Sequence, residues 1–90
     1  MSRQVRTLAI INTLGLHARA AAQLVQAANK FRSDVQIEKD GMEVNGKSIM
    51  GVLTLAAAKG SQITVSIEGE DAEPAMAALA QIIQNGFGEK

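Results

Sequence analysis

Hydrophobic and polar positions change period several times along the chain, and each change marks an element. Residues 4–11, QVRTLAII, are rich in aliphatic and β-branched types and predict a first strand. Between His17 and Lys30 the spacing becomes helical, with Ala21, Leu24, Val25, Ala28 and Phe31 forming an amphipathic stripe. Val35 and Ile37 alternate with Gln36 and Glu38 as a half-buried strand, and Lys39-Asp40-Gly41 reads as a hairpin turn. Met42 and Val44 make a short return strand closed by Asn45-Gly46. Ser48 and Lys59-Gly60 bracket the apolar segment Ile49 to Ala58, which predicts a short helix capped by serine and glycine. Ile63, Val65 and Ile67 alternate with Thr64, Ser66 and Glu68 in a fourth strand. Asp71 is expected to cap a last helix that tolerates Pro74 in its first turn. Its stripe is Met76, Leu79, Ala80, Ile83 and Phe87, and Gly86 marks its end. The order βαββαβα, with all helices on one face of four strands, predicts an α+β two-layer open-faced sandwich.

Composition narrows the functional classes. Residues 1–90 are expected to form a single small domain. Phe31 and Phe87 are the only aromatics, so the core has to be aliphatic. There is no cysteine, which excludes disulfides and thiolate metal sites, and a lone histidine argues against a zinc centre. Nine basic and nine acidic side chains give a formal charge of zero, unlike a dedicated nucleic-acid binder. No apolar run approaches the roughly 20 residues needed to span a bilayer. The amino-terminal stretch reads as a strand rather than a signal peptide. A cytoplasmic protein without metal, cofactor or membrane insertion, monomeric by default, is the expectation.

The chemical signal is Gly15-Leu16-His17-Ala18-Arg19-Ala20-Ala21. His17 stands where strand-like sequence gives way to helix, at or near the N-cap. A first helical turn presents unpaired backbone N–H groups and the positive end of the helix dipole, a ready anion site. The same field disfavours imidazolium, so a largely neutral His17 with a nucleophilic nitrogen is expected near pH 7. Arg19 is close enough in sequence to bring a guanidinium to a phosphate on that ring. Gly15 lets the backbone turn sharply just before it. On the residues alone, a surface histidine and a solvated helix arginine are the commoner readings of such a motif.

The segment GLHARAAA resembles the active-site signature of HPr, the histidine phosphocarrier family of bacterial phosphotransferase systems. NGKSIMGVLTLAAAKG is similar to the family's second signature, and chain length and element order agree from end to end. The resemblance implies phosphorylation of His17 at Nδ1 with Arg19 assisting. It also implies a four-stranded antiparallel sheet in the order 1-4-2-3 with three helices on one face. One position departs from the pattern, because many members carry proline where this chain has Ala20. Alanine keeps the helix and adds an N–H donor, so the change tunes the site's geometry.

Ser48 is adequately explained as a helix cap worth about 1 kcal/mol. The resemblance adds a regulatory role, since a dedicated HPr kinase/phosphorylase modifies the equivalent serine in some bacteria. The segment Ile49-Met50-Gly51-Val52-Leu53 is more apolar than one buried face requires. By resemblance, Ile49, Met50 and Leu53, together with Leu16, form an exposed docking patch beside His17. Adaptable Met and aliphatic side chains suit a surface that meets several partners in turn.

The function implied is a relay. Enzyme I, charged from phosphoenolpyruvate, gives its phosphoryl group to His17, which passes it to a IIA-type acceptor. GKS at 46–48 lacks the upstream glycine of a nucleotide-binding loop, so the chain does not charge itself from ATP. It is a substrate and carrier more than an independent enzyme. One alternative is a non-catalytic regulatory module on the same fold, controlled at Ser48, although relatives of that kind can lose the histidine. Another is a scaffold domain without phosphate chemistry. The run IIQNGFGEK and the lead-in INTLGLH resemble members of the nitrogen-related branch, which that resemblance favours slightly over sugar uptake.

Overall fold

The first alternating segment forms β1, Ser2–Ala9, in the computed structural model, which describes residues 2–89. There follow α1 (Ala18–Ala28), β2 (Asp34–Lys39), β3 (Met42–Asn45), α2 (Ile49–Thr54), β4 (Gln62–Gly69), α3 (Ala72–Gln84) and a 3-10 turn over Gly86–Gly88. All strand pairs are antiparallel, in the order β1-β4-β2-β3. This is the open-faced α+β sandwich that the pattern of elements predicts.

Register explains the single apolar face. Val35 stands opposite Ile67 and Ile37 opposite Val65 between β2 and β4, while Leu8 meets Ile63 between β1 and β4. These side chains share a core with Ala21, Leu24, Val25 and Ala28 of α1 and with Met76, Leu79 and Ile83 of α3. Each fully buried Leu, Ile or Val contributes about 1.5–3 kcal/mol of transfer free energy. Alanines along α3 let it lie close to β1 and β4, and those along α1 let it pack against α2 and α3, without aromatic filling.

Four local expectations are corrected. The first strand leaves the ladder at Ala9 rather than residue 11, because the Ile10 N–H bonds the Ser61 carbonyl at 2.8 Å and its carbonyl accepts from Gly60 N–H at 2.8 Å. α2 ends at Thr54 rather than Ala58. Ala56 turns into the left-handed region at φ 49°, and the following carbonyl, of Ala57, leaves the helix to accept from Leu16 N–H at 2.9 Å. Asp71 precedes α3 but gives it no side-chain cap. Its carboxylate instead accepts from the N–H groups of Arg32 and Ser33, both at 2.9 Å, and from the Ser33 hydroxyl at 2.5 Å. Phe87 is buried, yet it lies in the 3-10 turn beyond α3 and not on that helix's stripe.

Candidate functional site

The loop from β1 to α1 is shaped by two neighbours. Gly15 N–H bonds back to the Asn12 carbonyl at 3.2 Å, closing a tight turn, with Gly15 at φ +66°. A Cβ there would collide with the Ala57 carbonyl oxygen, so glycine is required by both dihedral and space. Leu16 is only 4% exposed and plugs into the core. This corrects the expectation that Leu16 belongs to an exposed patch. The premature end of α2 brings Ala57 against the loop, and the Leu16 amide bonds to it, drawing the side chain inward.

His17 is the N-cap of α1, with φ −75° and ψ 179°. Its carbonyl accepts from Ala21 N–H at 2.8 Å, the first bond of the helix. Its Nδ1 accepts from Arg19 N–H at 3.3 Å. Nδ1 thus lies against the Arg19 N–H in the first turn of α1, at the helix end that favours negative charge. The Arg19 side chain is exposed and forms no hydrogen bond or ion pair among the described residues.

The other ring nitrogen has a partner that sequence reasoning missed. Glu89 Oε2 lies 2.7 Å from His17 Nε2. The same oxygen accepts from Asn12 Nδ2 at 2.8 Å, and Oε1 accepts from Leu14 N–H at 3.4 Å. Asn12 Nδ2 also donates to the Gly15 carbonyl at 2.8 Å. Two acceptors therefore fix the orientation of the Asn12 amide and leave its buried Oδ1 without a partner. These bonds hold the Glu89 carboxyl below the usual carboxylate range, the Asn12 amide most strongly, against an opposing push from partial burial. Asn12 and Glu89 belong to the lead-in and tail segments that sequence reading used only as branch markers. The available signal was the paired Gly86 and Gly88, which let the tail double back.

Ser48 is the N-cap of α2, its Oγ accepting from Gly51 N–H at 3.1 Å. Ile49 and Met50 are exposed, at 41% and 76%, whereas Leu53 is half-buried against the core. Leu14 and Ile11, in the loop before His17, add exposed apolar surface that was not foreseen. Among the described residues no group of three His, Cys, Asp or Glu side chains could hold a metal ion. No helix among them is long and apolar enough to cross a membrane.

Comparison with known proteins bears on this arrangement. A family model described as "PTS HPr component phosphorylation site" matches residues 4–85. The chain belongs to the HPr family. It is 52% identical over 82 residues to the phosphocarrier protein HPr of Xylella fastidiosa (strain Temecula1), covering 91% of this chain and 92% of that one. The crystal structure of HPr-C-His from Thermoanaerobacter tengcongensis superposes with a TM-score of 0.93 at 46% identity, over 97% of this chain and 98% of that chain. The HPr-like protein Crh of Bacillus subtilis is 51% identical over 70 residues, covering 78% of this chain and 82% of that one. Membership of the HPr family makes this chain a phosphocarrier of the phosphotransferase system.

Proposed function

We propose that His17 is the residue of this phosphocarrier that receives and passes on the phosphoryl group, through Nδ1. The observation that carries this reading is the placement of Nδ1 over the first turn of α1, 3.3 Å from Arg19 N–H. Attack through Nδ1 releases the Arg19 N–H from that nitrogen and leaves it beside the new phosphoryl oxygens, and positioning and charge stabilisation carry such transfers. Arg19 is the mobile donor that folds over the phosphoryl oxygens. The donor is enzyme I charged from phosphoenolpyruvate, and the acceptor is a histidine on a IIA-type protein, both met in the cytoplasm. Ile49 and Met50, with the exposed edge of Leu53, form the docking surface. The tail and lead-in segments favour the nitrogen-related branch of the system over sugar uptake.

Ser48 supports a second reading, regulation by an HPr kinase/phosphorylase. Its hydroxyl already caps α2, so a phosphate there adds charge at a helix N-terminus without unfolding it. The place of Ser48 at the N-terminus of α2, next to the exposed Ile49 and Met50, is the observation that favours it.

A phosphotransfer assay tests the main reading. The protein and its His17→Ala variant are incubated with phosphoenolpyruvate and the cognate enzyme I, and intact mass is followed at neutral pH. An acid-labile gain of one phosphoryl group, absent in the variant, is the expected result. No gain in the unmodified protein sinks the relay and leaves the Ser48-controlled module.

A further inference from the structure

The carboxylate of Glu89 touches His17 at the nitrogen that the proposed transfer does not use. Two contacts on one ring constrain where its single proton resides. Arg19 N–H can only donate, so Nδ1 must offer a lone pair. The Glu89 carboxylate accepts, so Nε2 must carry the hydrogen. Both contacts select the same neutral tautomer, and it is the one whose Nδ1 can attack phosphorus.

The tail is held in place at a conformational expense. Gly86, Phe87 and Gly88 are consecutive left-handed residues, at φ 63°, 58° and 77°. For Phe87, which carries a Cβ, that conformation is strained. Its buried ring anchors the turn, and its carbonyl accepts from Gln23 Nε2 of α1 at 3.3 Å. The reversal delivers Glu89 to Asn12 and His17 rather than to solvent.

We infer that Glu89 is a positioning residue for phosphoryl transfer, fixing the Nε2–H tautomer of His17 and balancing the positive charge the ring gains on Nδ1. The inference rests on His17 being the phosphoryl acceptor. In the accepting step the Arg19 N–H gives up the Nδ1 lone pair, which forms the new N–P bond while the donor's N–P bond breaks and its electron pair returns to the donor nitrogen. The proton stays on Nε2 throughout, the ring becomes cationic, and Glu89 faces that cation. Donation to the acceptor reverses each change, and the ring returns to its neutral form. Carboxylates that orient a histidine through its second nitrogen act in the same way in metal sites and nucleophilic triads.

His17 is the sole histidine, so its ring nitrogens can be read without ambiguity by 15N NMR. The protein, Glu89→Ala and Glu89→Gln are compared at a pH where the ring is neutral, and phosphoryl uptake from charged enzyme I is timed for each. The unmodified protein is expected to show a protonated Nε2 and a bare Nδ1. Glu89→Ala shifts toward the mixed tautomers of free imidazole and takes up phosphoryl about 10-fold more slowly. Glu89→Gln, which keeps an acceptor but loses the charge, recovers the tautomer and only part of the rate. Unchanged tautomer and rate in Glu89→Ala overturn the positioning role. Failure of all three proteins to accept phosphoryl overturns the relay, while the tautomer comparison still decides the Glu89–His17 contact.

Discussion

The His17 imidazole and the Glu89 carboxylate are separated by 72 residues of chain and by 2.7 Å in space. Asn12 holds the same carboxylate oxygen at 2.8 Å, so the loop before α1 and the tail after α3 are joined at the reactive ring.

Asn12→Asp tests that junction. The substitution replaces a donor with a carboxylate beside Glu89, and like charges in contact repel. The tail is expected to detach while the core stays folded. Amide exchange of Gly88 and Glu89, whose N–H groups bond the Asn85 and Gly86 carbonyls, should speed up by on the order of tenfold, matching a loss of ~1.4 kcal/mol. Exchange as slow as in the unmodified protein would show that Asn12 does not secure the tail.

Asp71 predicts an acid transition. Its hydrogen bonds from Ser33 and Arg32 lower its pKa from 3.8 to about 2. A pKa lower in the folded than in the unfolded chain means that the folded state binds the proton less tightly. The associated stability is therefore complete above about 3.8 and is lost as pH falls toward about 2. Thermal melts across that window should show Tm falling for the unmodified protein and a flatter profile for Asp71→Asn. Parallel profiles would remove Asp71 from the acid response.

Leu16 and Met50 separate packing from docking. Leu16→Ala empties a buried position and should cost about 2–5 kcal/mol in chemical denaturation. Met50→Ser changes an exposed side chain and should leave stability within about 0.5 kcal/mol while weakening binding to enzyme I. A Met50 variant with undiminished enzyme I affinity would exclude it from the docking surface.

Gly15→Ala should be the most disruptive small change in the site loop. The left-handed backbone alone costs alanine about 1–2 kcal/mol, and the collision with the Ala57 carbonyl adds to it. A loss exceeding ~2 kcal/mol lowers Tm by roughly 10 °C or more in a domain of this size. Gly60→Ala, where a Cβ meets nothing within 4 Å, should lose about 1 kcal/mol. Equal losses at the two positions would show that space around Gly15 is not limiting.

Most of the fold was legible in the sequence because its signals are local. Alternation in Val35–Ile37 and Ile63–Ile67 reports a sheet with one buried face, and the Leu24–Val25–Ala28 stripe reports a helix to cover it. The transition from Gly15 to His17 placed the histidine at a helix N-cap, and Ser48 marked the start of α2. Each depends on dihedral preference or side-chain period within a few residues.

What the tertiary structure alone decided involves groups distant in sequence. Leu16 is buried because the Ala57 carbonyl, released by the early end of α2, captures its amide. Asp71 serves the Arg32–Ser33 turn rather than its own helix because the fold brings those two N–H groups to 2.9 Å from its oxygens. Glu89 reaches His17 only after the left-handed turn at Phe87 reverses the tail. Periodicity determines which face of an element is apolar, whereas the partner of a polar group depends on where the whole chain brings another one within about 3 Å.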